Sequence, residues 1–106
     1  MDLQIFVRGV DNDSGLRDFA EERFLATTNR FSEHILKATV RLEDVTGPDK
    51  GGIDKLCSLD VKLRTREIVI KEQGDEFHPT INAALDRLKA ALSRETAKTK
   101  RGIGEG

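Results

Sequence analysis

The stretch DKLCSLDVKLRTREIVIKEQGDEFHPTINAALDRLKAAL, residues 54–92, changes its hydrophobic period partway through. Up to Gln73, apolar and polar residues alternate. Cys57, Leu59, Val61 and Leu63 fall on one side, and Ser58, Asp60, Lys62 and Arg64 on the other; Ile68 and Ile70 extend the apolar set. A repeat of two is that of a strand with one buried face. Two such runs this close in sequence predict an antiparallel pair. GDEFHP, residues 74–79, then ends the sheet, and Pro79 suits the first turn of a helix, where its missing amide donor is no loss. From Ile81 the period lengthens. Ile81, Ala84, Leu85, Leu88, Ala91 and Leu92 recur at threes and fours, the stripe of an amphipathic helix.

Upstream, ILKATVRLEDV alternates again. The parity puts Leu36, Ala38, Val40 and Leu42 inward and Lys37, Thr39, Arg41 and Glu43 outward. TGPDKGG, residues 46–52, reads as a loop by its Gly, Pro and Asp content. LQIFVRG near the N-terminus sets Leu3, Ile5 and Val7 against Gln4, Phe6 and Arg8, so it is a further strand. Leu16, Phe19, Ala20, Phe24 and Thr27 predict a helix over residues 14–31. Asp13 is its expected N-cap, the carboxylate accepting from first-turn amides. Asp18, Glu21 and Glu22 lie on the outer face of that helix, where they read as solvated acids.

The resulting order is β-α-β-β-β-α. The strands alternate, so one sheet face is covered and the other wet. The expected fold class is α+β: two layers, with a four-stranded sheet and two helices on one face. A chain of 106 residues is expected to form one domain, here over residues 1–101 with a short flexible tail at 102–106.

Composition narrows the function. Charged residues make up 35% of the chain, above the globular average. Cys57 is the sole cysteine, so no internal disulfide forms, and a reducing compartment is expected. The N-terminus lacks a signal-peptide pattern and no apolar run reaches a membrane span, which points to a cytoplasmic protein with no membrane partner. Catalysis is not expected. Cys57 falls on the core side of its strand, where a thiol behaves as a small hydrophobe. His34 and His78 are 44 residues apart and make no zinc spacing with it. Glu21 and Glu22 are adjacent on a helix and diverge by about 100°. No cofactor, metal or small-molecule substrate is implied.

The charge is unevenly placed. Residues 81–102 hold six Lys/Arg and two acids, although the whole chain is net −1. Arg87, Arg94, Lys98 and Arg101 fall on one helix stripe, roughly 120° from the middle of the apolar face. Asp86 and Glu95 point elsewhere; Lys89 and Lys100 flank the opposite side. Arg8, Lys37, Arg41, Lys62, Arg64 and Lys71 point outward from the sheet, offset in part by Glu43, Asp60 and Glu67. Such clusters attract a phosphate backbone through Coulomb steering and counterion release. The plainer reading is that the cations solvate their elements and answer a helix dipole. The stripe's lack of acids sustains the first reading. Phe6 is the sole aromatic on the open face, so phosphate contact is expected rather than base stacking.

Three segments add a resemblance. GLRDFAEERF, GGIDKLCSLDVKL and GDEFHPTINAALDRL, in that order and spacing, resemble the first helix, third strand and second-helix start of the ribosome hibernation-promoting factors, also called ribosome-associated inhibitor or sigma-54 modulation proteins. The likeness spans about residues 2–101 and is to the short form of the family. It implies binding to the small ribosomal subunit and its 16S rRNA, between head and body, with translation silenced in stationary phase or stress. A second hibernation factor is a possible partner by the same resemblance. Carried over by position, the rRNA contacts would be Arg87, Lys89, Arg94, Lys98, Lys100 and Arg101 on the second helix and Arg17 and Arg23 on the first. Arg41, Lys62 and Arg64 extend the set onto the sheet. Glu21, Glu22, Ala26, Thr27 and Thr28 depart from the family's first helix, and His78-Pro79 from its second-helix start. The alternative from another class is a protein-binding module that docks through its sheet edge or open face.

Overall fold

The computed structural model describes residues 1–46 and 54–105, with side chains as far as residue 97. The expected loop at 46–52 therefore lies, beyond Thr46, outside the described residues. Strand β1 is Asp2–Arg8, helix α1 Ser14–Thr28, strand β2 Ile35–Asp44, strand β3 Lys55–Leu63, strand β4 Glu67–Gly74 and helix α2 Phe77–Glu105. A 3₁₀ segment, Asn29–His34, joins α1 to β2. The α+β order expected from periodicity is the order observed.

The sheet runs β1-β2-β3-β4. β1 and β2 are parallel, as a helical crossover between them permits, and the other two pairs are antiparallel. The inner face carries Ala38, Val40, Leu42, Cys57, Leu59, Val61, Ile68 and Ile70, all buried. Ile81, Ala84, Leu85, Leu88 and Leu92 of α2 close over β3 and β4, while Ala20 and Phe24 of α1 complete the core. Burying a side chain of this kind contributes about 1.5–3 kcal/mol, so the single apolar layer is what holds the two-layer fold.

Three local expectations are corrected. Leu36 is not a core residue: it is 52% exposed, and Ile35 is 3% exposed in its place. The β2–β3 register shifts between Ile35 and Lys37, so a bulge inserts one residue and reverses the parity there. Second, Asp13 occupies the N-cap position without capping. Its backbone is at φ −86°, ψ 5°, away from the extended conformation that folds the carboxylate back onto the first turn. The carboxylate instead accepts from Arg17 Nε at 3.0 Å. Third, α1 ends at Thr28, short of residue 31, and Thr28 rather than Thr27 is fully buried. The Thr28 hydroxyl donates to the Phe24 carbonyl at 2.9 Å, and the chain then tightens into the 3₁₀ segment.

Gly9 makes the turn out of β1 possible. Its φ is +76°, and a Cβ there would stand 2.5 Å from the Asp44 carbonyl oxygen.

Candidate nucleic-acid interface

Cross-strand register places the outward residues of the sheet in rows. One row is Phe6–Arg41–Ser58–Lys71, running across all four strands. A second is Asp2–Lys37–Lys62–Glu67. Between them run Gln4, Thr39, Asp60 and Val69. Arg41, Lys37 and Lys62 meet around a polar hollow of about 220 Å³ that also holds Asp60 and Glu67. The open face is therefore mixed in charge, with its cations and acids in neighbouring positions.

The two carboxyl groups interact. Hydrogen bonding to Asp60, and then its charge, push the Glu67 carboxyl above its ordinary range, with Lys62 opposing.

Helix α2 delivers Arg87 and Arg94 to the β4 edge. Together they line a groove of about 360 Å³ over Ile68, Val69 and Ile70. Arg87 Nη1 donates to the Lys71 carbonyl at 3.0 Å and to the Glu72 carboxylate at 2.5 Å. The stripe is thus free of acids from Arg87 to Arg101, as the spacing implied, with Glu105 at the same angle only in the last turn of α2; in space it is not, because Glu72 reaches it from the adjacent strand. Glu95 does point off the stripe, toward Arg66 in the β3–β4 turn at 3.6 Å. Arg94 is exposed and makes no ion pair within the described residues. Lys89 is exposed on another part of α2. The side chains of Lys98, Lys100 and Arg101 lie outside the described residues, although the α2 backbone runs through them.

The first helix contributes less. Arg17 is bound into the fold: besides Asp13, its Nη1 donates to the Ile5 carbonyl at 2.8 Å. Arg23 is exposed. Arg64 sits in the β3–β4 turn near His34 and Thr96. Arg17 and Arg87 play matching parts, each placing a guanidinium on a carbonyl of an edge strand, β1 and β4 respectively. Occupied edge carbonyls weaken a sheet's capacity to add a further strand.

What emerges is a basic band around one edge. It runs from Arg94 and Arg87 on α2, past Lys71, to Arg41 and Lys62 on the open face. Lys71 links the two halves. Its outward parity was legible in the sequence, but its contact with Arg87 needed the helix to be placed against β4.

The remaining reactive groups are elsewhere. Burial pushes the Cys57 thiol up to about 12, with the charge of Glu72 adding to the effect. His78 stacks on Phe19, ring centroids 3.8 Å apart, and so ties the start of α2 to α1. Among the described residues no group of three or more His, Cys, Asp or Glu could hold a metal ion, and no helix is long and apolar enough to cross a membrane.

Fold and surface together define a two-layer α+β domain with a basic band wrapped over one sheet edge. The chain belongs to the Sigma 54 modulation protein / S30EA ribosomal protein family, whose sequence profile matches residues 3–100. No curated protein matches it by sequence. A ribosomal subunit interface protein from Coxiella burnetii has a similar structure, with TM-score 0.72, 21% identity, and coverage of 92% of this chain and 99% of that one. The N-terminal domain of Thermus thermophilus Protein Y is also similar, with TM-score 0.71, 21% identity, and coverage of 89% and 98%. At these identities the two structures speak to the fold.

Proposed function

We propose that the chain is a non-catalytic, ribosome-associated hibernation factor that binds the small subunit through rRNA phosphates and blocks translation sterically. The observation that carries this is the band from Arg94 to Arg41, whose members Arg94, Lys71 and Arg41 make no ion pair among the described residues. Unpaired, exposed cations along one track suit a polyanion, because each phosphate neutralised releases counterions. Family membership and the likeness to a ribosomal subunit interface protein support the ribosome as its source. The domain would occupy the channel where messenger and transfer RNA sit, and competition needs no chemistry beyond occupancy.

The test is cosedimentation of the chain with purified small ribosomal subunits on sucrose gradients. Charge reversal of Arg94 and Lys71 to Glu should abolish it while circular dichroism stays native. Unchanged cosedimentation would refute the assigned surface. Docking through a sheet edge is the weaker reading, because Arg17 and Arg87 each occupy an edge carbonyl.

A further inference from the structure

The row Phe6–Arg41–Ser58–Lys71 does more than add charge to the open face. Arg41 and Lys71 stand on the strands either side of Ser58, so their backbones are about 10 Å apart at a strand spacing of 4.8 Å. Both side chains are long enough to converge above the Ser58 hydroxyl. Both line a hollow of about 330 Å³ with Ser58, rimmed by Leu56 and Gln73, although the Arg41 guanidinium rests over Phe6 on the β1 side. That volume lies in the range of small-ligand sites.

Three features make the hollow specific for an anion. Arg41 lies with its guanidinium carbon 4.8 Å from the Phe6 ring centroid. Stacking uses the face of the guanidinium and leaves its in-plane N–H fork free. The Ser58 hydroxyl, the Lys71 ammonium and the Arg41 fork have no protein hydrogen-bond partner among the described residues. Of the two carboxylates on the rim, Glu72 is answered from outside by Arg87, so Glu43 alone is set against the two cations. Leu56 supplies an apolar ledge beside the polar groups.

We infer that this hollow is a binding site for one nucleotide unit, its phosphate held by Arg41, Lys71 and Ser58 and its sugar or base resting on the Leu56 ledge. The chemistry is the same whether the nucleotide is free or part of an RNA chain. The site shares Arg41 and Lys71 with the basic band, so its RNA arm rests on the proposed function, whereas the mononucleotide titration needs no ribosome and its failure is seen separately from a failure to cosediment. An arginine fork and an ammonium converging on one phosphate are charge-assisted donors, the stronger kind of hydrogen bond.

Two measurements on the isotope-labelled full chain decide it. Titration with adenosine 5′-monophosphate should shift the amides of residues 41, 58 and 71 saturably, whereas adenosine should not. The Arg41→Gln/Lys71→Gln variant should weaken that binding about tenfold or more, the effect of losing charged hydrogen bonds. Independently, the salt slope for single-stranded polyuridylate should fall by about 1.4 in the same variant, two contacts at about 0.7 each. Nucleotide shifts with an unchanged slope identify a free nucleotide as the ligand; a lowered slope without nucleotide shifts assigns the two cations to the basic band alone and overturns the nucleotide site. The inference is overturned if adenosine shifts the same amides as strongly. It is equally overturned if neither nucleotide shifts at these amides nor a lowered slope is seen, absence of RNA binding included. A native circular dichroism spectrum for the variant guards against misfolding.

Discussion

Arg87 and Arg94 lie one above the other on α2, yet they should behave differently when neutralised. Arg94→Gln removes an unpaired cation. If it meets a phosphate, log K against log salt loses about 0.9 of its slope, worth about 3.5-fold in affinity over a fourfold rise in salt. Arg87 is already engaged by the Glu72 carboxylate and the Lys71 carbonyl. Removing it alone would also expose Glu72, so the informative variant is the charge-conserving pair Arg87→Gln/Glu72→Gln. That pair should leave the slope unchanged. Its effect should fall on stability instead: an exposed ion pair contributes about 0.2–1 kcal/mol and a hydrogen bond about 1 kcal/mol. The loss expected is therefore about 1 kcal/mol, with half of the Arg87 side chain open to water. The assays are fluorescence anisotropy with labelled small-subunit rRNA at several salt concentrations, and urea unfolding of each variant. A slope loss for the double variant equal to that of Arg94→Gln would show that Arg87 leaves its clamp to hold a phosphate, and the two arginines would then share one role.

Ile35→Ala should cost about 2–5 kcal/mol in urea unfolding, because it empties a buried position; Leu36→Ala should stay within about 0.5 kcal/mol, and the reverse order would deny the bulge. Glu67 holds its proton more tightly in the folded chain than in the unfolded one, so the stabilisation is present at acid pH and lost as pH rises through the raised folded value. Glu67→Gln should remove that dependence and raise Tm at neutral pH relative to the parent; a parallel pH profile for the two proteins would contradict the carboxyl pairing. Cys57 should resist iodoacetamide in the native state and react on unfolding in urea, since its thiol is buried and held protonated. Rapid native labelling followed by mass spectrometry would place it outside the core.

Much of the architecture follows from periodicity. Residues 54–92 carry a period of two and then of 3.6, and those periods alone separate β3, β4 and α2, since each regular backbone presents its side chains at one fixed spacing. Their apolar sets, Leu59 with Val61 and Leu88 with Leu92, are the ones buried. Exceptions arose where one residue broke the count or a competing partner intervened. The bulge at Leu36 shifts parity without changing the type of residue, and Asp13 found Arg17 rather than an amide. The site was less legible. Outward cations can be counted from parity, but whether a cation is free depends on what folds against it. Arg94 and Arg87 are equivalent along α2 in sequence; only the docking of α2 against β4 brings Glu72 to one and not the other. Likewise, Arg41, Ser58 and Lys71 are 17 and 13 residues apart in sequence and become neighbours through strand register. The sequence by itself determined the elements and their buried faces, because these depend on neighbours a few positions away. Tertiary structure decided which charges are spent on the fold and which remain for a ligand, because Coulomb and hydrogen-bond partners are set by distance in space.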